Sequence, residues 1–319
     1  MNDWIRVRIT ERRMETDDVA AFVLEPALGA ALPAYEAGAH IDVKLPNGLI
    51  RQYSLCGTPD RSGRYEIGVL CDASGRGGSI CMHENVRLDD QIEISPPRNL
   101  FPLASMQERA LLFAGGIGVT PILAMAQQLA RLGTNFAMHY CARSTSRAAF
   151  RERIAVSPFA DRVTFHFDDQ PETVMDAKAL LASPEAGTHL YVCGPSGFMD
   201  HILNTARAAG WAESNIHYEH FSAPAGGANG QDGFEIEVAD DGTIIPVAQG
   251  QTALEALRSA GFDIPASCEQ GICGACITTV VDGIPDHRDM YLSVAEQEAN
   301  DCFTPCCSRA LTPRLTIKI

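Results

Sequence analysis

Hydrophobic and polar positions follow three different rhythms along the chain. Up to residue 103, short runs rich in β-branched residues (IRVRIT, VAAFVLEP, HIDVKLP, YEIGVL, QIEIS) alternate in part with period two. Turns at Gly38, Pro46-Asn47-Gly48 and Thr58-Pro59-Asp60 cut them apart. That spacing predicts a small antiparallel β-barrel over residues 1–103. From 104 to 222 apolar strands alternate with helical patterns: ALLFAGG, VTPILAMAQQLARLG, NFAMHYCA, a helix near 147–155, RVTFHF, a helix near 177–183, THLYVCG, a helix near 197–209, and IHYEHF. A βαβ series of this kind predicts an α/β domain with a parallel sheet covered by helices. Residues 223–232, within SAPAGGANGQDG, have no apolar period and read as a linker. Residues 233–319 predict a small α+β, β-grasp-like domain. FEIEVA and TIIPVA form a hairpin around Asp241-Gly242, ALEALRSAG forms a helix, and LTIKI is a closing strand.

Composition narrows the class. The chain has 319 residues, 46% of them hydrophobic and 20% charged, enough for several domains. No run reaches the roughly 20 apolar residues needed to span a bilayer, and MNDWIRVRITERR lacks an apolar leader core. We therefore expect a cytoplasmic protein that does not enter membranes. A net charge of −15 argues against nucleic-acid binding. From Phe234 to Ile319 there are 13 acidic and 5 basic residues, a net of −8. This region is either a solvated surface or a docking face for a basic partner protein. In a reducing compartment the eleven cysteines are not expected to form disulfides. Clustered ones should be metal ligands or catalytic thiols, and the isolated Cys56, Cys71, Cys81 and Cys141 small buried hydrophobes.

The clustered cysteines carry the sharpest chemistry. In SCEQGICGAC, Cys268, Cys273 and Cys276 have the C-x4-C-x2-C spacing of a plant-type [2Fe–2S] ferredoxin, which needs one more distant cysteine. Converging thiolates bend the backbone tightly, and Gly271 and Gly274 supply the freedom for it. The fourth ligand must be Cys302, Cys306 or Cys307; we take Cys306, in TPCCSRA before the last strand. A zinc site would rather pair two C-x2-C elements or use histidines.

Such a centre needs an electron donor. In AGGIGVTP, Gly115, Gly116 and Gly118 link a strand to a helix and can bring a pyrophosphate to a helix N-terminus. YVCGPSGFM ends a second strand on the same sheet edge, with Cys193 expected to face the crevice, either against a nicotinamide or as a packed thiol. In the barrel, RQYSL offers Arg51 for a phosphate or reduced ring, Tyr53 for a ring face and Ser54 for a hydrogen bond at a flavin's reactive edge. GRGGS, with Arg76, Gly77, Gly78 and Ser79, is a second phosphate nest. His139, His166 and His217 lie within strand patterns and read as structural, and His287 and Arg288 as binding their own loop.

The succession RQYSL, GRGGS, GGIGVTP, CGPSGFM, YEHF, CEQGICGAC and PDHRDMYLS resembles the phthalate dioxygenase reductase family, which includes reductases of vanillate O-demethylase type, over essentially the whole chain. The resemblance implies FMN held by Arg51, Tyr53, Ser54, Arg76, Gly77, Gly78 and Ser79. It implies NADH near Gly116, Thr120 and the Cys193 turn, with Cys193 and Glu219 framing the nicotinamide and Phe221 shielding the flavin ring. Cys306 matches the family's fourth ligand, while Cys307 stands where an apolar residue is usual. Arg143 and Arg147 are cations that could meet a 2′-phosphate, though the family favours NADH. The implied function is the reductase component of a multicomponent, Rieske-type oxygenase: hydride passes from NADH to FMN, and single electrons leave through the [2Fe–2S] cluster to a separate oxygenase. The chain is expected to be a monomer. Competing readings are a reductase for a cytochrome P450 or diiron oxygenase and, of another class, a non-enzymatic redox or metal sensor.

Overall fold

The computed structural model describes residues 4–29, 31–59, 63–221 and 233–319; the linker expected at 223–232 lies outside them. The chain falls into two compact units, Met1–Glu219 and His220–Ile319.

The first unit opens with strands β1 (Ile5–Met14), β2 (Val19–Pro26), β3 (Ala39–Lys44), β4 (Ile50–Ser54) and β5 (Tyr65–Leu70), helix α1 (Gly78–Asn85), and strands β6 (Gln91–Ile94) and β7 (Arg98–Asn99). They form one sheet in the order β4-β3-β6-β1-β2-β5, with β7 paired to β3. Neighbouring strands in this sheet run antiparallel. Leu55, just past β4, bridges to Ile67 in β5, so the two edges meet and the sheet closes. Its interior is apolar, with Val7, Phe22, Ile41, Ile67 and Met82 among the residues removed from water.

The same unit continues through β8 (Arg109–Gly115), α2 (Val119–Leu132), β9 (Asn135–Ala142), α3 (Arg151–Ala155), β10 (Val163–Phe167), α4 (Ala177–Leu181), β11 (Thr188–Cys193), α5 (Ser196–Ala208) and β12 (Ile216–Glu219). The sheet is parallel, in the order β10-β9-β8-β11-β12. The order reverses between β8 and β11, and ligands of open α/β sheets bind at the carboxyl edge of such a switch. Phe113, Leu190, Val192, Ile202 and Trp211 pack one face. The helix expected over 147–155 is interrupted. A 3₁₀ turn covers Thr145–Arg147, and α3 starts only after Phe150, which is left-handed at φ 59° and fully buried. The Phe150 ring lies so close to Gly68 that a Cβ there would approach it to 2.9 Å, and this packing takes precedence over helix continuation. Barrel and α/β parts are fastened by Arg153 on Glu66 (2.6 Å), the Phe150 N–H on Glu15 (3.1 Å) and Arg147 on Asp18.

The second unit holds β13 (Phe234–Val238), β14 (Ile244–Val247), α6 (Ala253–Ser259), β15 (Thr278–Asp282), β16 (Pro285–Asp286), α7 (Val294–Ala299), β17 (Cys302–Phe303), β18 (Arg309–Ala310) and β19 (Arg314–Lys318). The main sheet runs β14-β13-β19-β15-β17, with β13 and β19 parallel. Parallel pairing of the first and last strands, with α6 against the sheet, gives the β-grasp-like arrangement. Its core includes Ile236, Leu257, Phe303, Leu315 and Ile317, and takes in Cys276 and Cys306.

Candidate functional site

The two motifs expected to hold a flavin come together in the barrel. Arg51, on β4, is buried and donates to the Ile50 carbonyl (2.7 Å). Its side chain crosses the start of α1 so closely that a Cβ on Gly78 would lie 2.7 Å from its Cγ and Nε. Gly77 caps that helix at φ 80°, a left-handed conformation open to glycine. Ser79 turns its hydroxyl to the Asp72 N–H (3.0 Å), and Arg76 is exposed. Tyr53 is half-buried against the barrel core.

Ser54 ends β4 on the opposite face and donates its hydroxyl to Glu219 at the end of β12 (3.3 Å). A barrel strand and the edge strand of the parallel sheet thus meet through two side chains. Directly across from Ser54 sits His40, its Nδ1 4.0 Å from Glu219. Burial drives this Glu219 carboxyl up to about 8, against which the Ser54 hydrogen bond is the smaller effect. Burial, aided by Arg98, pushes His40 down to about 4. At neutral pH both groups are therefore uncharged. His40 Nε2 is buried with no hydrogen-bond partner among the described residues. Asp42, two residues on, accepts from Arg98 (2.7 Å) and Gln52 (3.0 Å), which completes a polar row on this face of β3.

A cleft of about 470 Å³ opens at the switch point, lined by Gly115, Gly116, Cys141, Arg143, Arg147 and Asp168, among others. A Cβ on Gly118 would stand 2.2 Å from the Cys193 carbonyl, so the two glycine turns touch and that position admits no side chain. Cys193 is fully buried, and burial plus the nearby Glu219 raise its thiol well above the usual range. Thr120 is buried, donates to the Ile117 carbonyl (3.0 Å) and turns its methyl toward Gly68. Of the isolated cysteines, Cys56 and Cys81 are buried, as expected. Cys71 and Cys141 are only half-buried, the latter because it lines the cleft wall. The strand histidines pair with each other, His139 with His166 (3.0 Å) and His189 with His217 (2.8 Å). Phe221 lies two residues past the end of β12, half-buried.

In the second unit the thiols meet two by two. Cys273 hydrogen-bonds Cys268, and Cys306 hydrogen-bonds Cys276. The Cys273 contact is the largest of the effects that lower the Cys268 thiol below its usual range, helped by the Gln270 and Ile272 N–H groups. The Gln270 N–H points at Cys268 Sγ (3.3 Å) and the Ala275 N–H at Cys273 Sγ (3.5 Å). Gly271 and Gly274 both have positive φ, at 74° and 68°. Among the described residues no group of three or more suits a single metal ion. Two pairs of thiols with N–H groups aimed at sulfur fit a two-iron centre held by four cysteines. Cys307 also hydrogen-bonds Cys306, with its sulfur 3.2 Å from Thr304 Oγ1, and Cys302 lies in β17 opposite Thr279.

Known proteins give the same picture. Residues 236–311 match the family described as 2Fe-2S iron-sulfur cluster binding domain, and 91–216 the dimethylamine monooxygenase subunit DmmA-like N-terminal domain. The vanillate O-demethylase oxidoreductase of Pseudomonas sp. (strain HR199 / DSM 7063) is 52% identical over 99% of this chain and 100% of its own. A solved phthalate dioxygenase reductase, described as a modular structure for electron transfer from pyridine nucleotides to [2Fe–2S], is 34% identical. It covers 99% of this chain and 98% of that one with a TM-score of 0.82. This chain belongs to the phthalate dioxygenase reductase family. An intact type IV self-sufficient cytochrome P450 monooxygenase also aligns, at 36% identity and a TM-score of 0.80, over 99% of this chain but 41% of that one. The family's three-part build is thus present: barrel, nucleotide-type α/β sheet and ferredoxin. His40, Asp42, Arg98 and Asp168 escaped the sequence reading. The only local hint was a polar residue at every second place of HIDVK, which alone reads as a solvated strand face.

Proposed function

We propose that this chain is the reductase component of an oxygenase system: NADH is oxidised at a bound FMN, and single electrons pass through a [2Fe–2S] cluster on Cys268, Cys273, Cys276 and Cys306 to a separate, Rieske-type oxygenase. When bound, the flavin and the cluster supply hydride acceptance and one-electron transfer. The residues do the positioning. Arg51 and the Gly77–Ser79 turn meet the flavin phosphate, Tyr53 lies on the ring, and Ser54 hydrogen-bonds its reactive edge. The observation that carries the reading is the Ser54–Glu219 hydrogen bond, because it puts the flavin strand and the nucleotide sheet at one spot. Glu219, protonated at neutral pH, leaves that spot free of fixed negative charge while keeping a polar group beside Ser54. Phe221 shields the ring.

The nucleotide lies at the Gly115–Gly118 turn with Gly116 and Thr120 near its phosphates. Cys193 backs the nicotinamide pocket from within. NADH is preferred over NADPH, because Arg147 is already paired with Asp18 and Asp168 adds a carboxylate to the cleft. A 2′-phosphate would meet Arg143 alone as a cation, beside a neutralised Arg147 and a repelling Asp168. The reductase works as a cytoplasmic monomer, with domain boundaries near 103 and 222–233.

A second reading, electron supply to a cytochrome P450, draws on the match to a self-sufficient P450 chain. Rapid mixing of purified protein with NADH tests the proposal. The flavin band should bleach, and reduction of an added Rieske oxygenase should follow, at least about tenfold faster with NADH than with NADPH. In Cys276→Ser the flavin still bleaches and the oxygenase stays oxidised. Reduction of a P450 but of no Rieske oxygenase would favour the second reading, and oxygenase reduction by Cys276→Ser would overturn the cluster route.

A further inference from the structure

The PDHRDMYLS segment has no part in the electron path described above, yet it lies against both halves of the cysteine set. Asp289 has a side chain with no exposure to solvent. Its carboxylate accepts from the N–H of Leu292 (2.8 Å) and of Tyr291 (3.2 Å), and from the Ser308 hydroxyl (3.5 Å). Ser308 is itself buried, two residues past Cys306, and shares a hydrogen bond with Thr304 (2.9 Å). On the other side, the residues that follow Asp289 grip the three-cysteine loop. Met290 N–H donates to the Gly271 carbonyl (2.8 Å). The Tyr291 ring covers Gly274 so closely that a Cβ there would be 2.5 Å from it. The carbonyl of Asp289 is held in turn by Gln297 (3.3 Å).

The charge around Asp289 is arranged in the same sense. Arg288, its neighbour, gives its guanidinium to Asp286 (2.6 Å). The His287 ring stands beside Asp289, with Nδ1 3.7 Å from its carboxylate. Both nitrogens of that ring are buried without a hydrogen-bond partner among the described residues. A buried carboxylate is costly unless hydrogen bonds hold it. Here those bonds reach the loop of Cys268–Cys276 through one set of neighbours and the Cys306 segment through Ser308.

We propose that Asp289 is a positioning residue of the cluster site: its carboxylate ties the three-cysteine loop to the Cys306 segment, and its charge lowers the cluster's reduction potential. The inference rests on the four-cysteine ligand set proposed above. Reduction adds an electron to the cluster, so a nearby fixed negative charge opposes it and removing that charge makes reduction easier. Outer-shell partners of metal ligands typically account for 10–100-fold in metal retention.

The test uses the full-length protein with both cofactors bound. In Asp289→Asn, which keeps the shape and loses the charge, iron and acid-labile sulfide should match wild type and the midpoint potential of the cluster should move positive. In Asp289→Ala, iron should pass to a chelator about tenfold or more faster than from wild type, while bound flavin stays stoichiometric and marks the first unit as intact. An unchanged potential in Asp289→Asn together with unchanged iron retention in Asp289→Ala would overturn the proposal. A wild type without iron and sulfide would overturn the ligand set itself and the inference with it.

Discussion

Glu219 is a carboxyl that water no longer reaches well, with 14% of its side chain exposed, and it responds by holding its proton up to about pH 8. Its folded value lies above the unfolded one, so the folded chain binds the extra proton. The resulting stability is fully present below the unfolded carboxylate value and is lost as pH rises through about 8. The slope is on the order of 1 kcal/mol per pH unit in that window. Glu219→Gln removes this dependence. Its melting temperature relative to wild type should therefore climb from pH 5 to pH 9, and a constant difference would contradict the burial account. His40 and His139 slope the other way. Both are pushed down to about 4 by burial, so their stability is present above the ordinary histidine value and is lost as pH falls toward 4. At this scale the sequence was legible where chemistry is local. Three cysteines within ten residues announce a cluster from spacing alone. His40 was not legible, because its meaning comes from Ser54 across the ladder and Glu219 far along the chain, and no window of sequence contains that contact.

Two glycines separate backbone from side-chain constraint at the level of turns and strands. A Cβ on Gly118 would meet the Cys193 carbonyl at 2.2 Å, a fixed object on the neighbouring strand. Gly118→Ala should cost about 3 kcal/mol and splay the β8–α2 turn from the β11 turn, read as a lower melting temperature and a raised KM for NADH. Gly78 faces the Arg51 side chain, which can swing away. Gly78→Ala should leave the melting temperature near wild type and weaken FMN binding by about tenfold, through loss of a charge-assisted contact to phosphate. The reverse ranking in stability would contradict this account of both turns. Long strands and amphipathic helices were legible because their apolar periods are set by burial on one face. Helix α7 was missed: VAEQEA buries no residue and shows no stripe. Its signal lay in the capping box, where Ser293 and Glu296 satisfy each other's backbone N–H groups (3.3 and 2.8 Å). Strands β16, β17 and β18 are two residues long, below what any period can mark.

Across the whole molecule, composition and motif order specified three modules and left their meeting points unstated. The ion pairs that fasten barrel to α/β sheet, Arg153 on Glu66 and Arg147 on Asp18, join residues that no pattern links. No helix among the described residues is long and apolar enough to cross a membrane. The central claim is that one chain takes electrons in pairs and releases them singly. Anaerobic titration of the purified protein with NADH tests it most directly, with the flavin and cluster bands followed together. The account predicts uptake of about three electrons per chain, two at the flavin and one at the cluster. An endpoint at two electrons, with the cluster band unbleached, would contradict it.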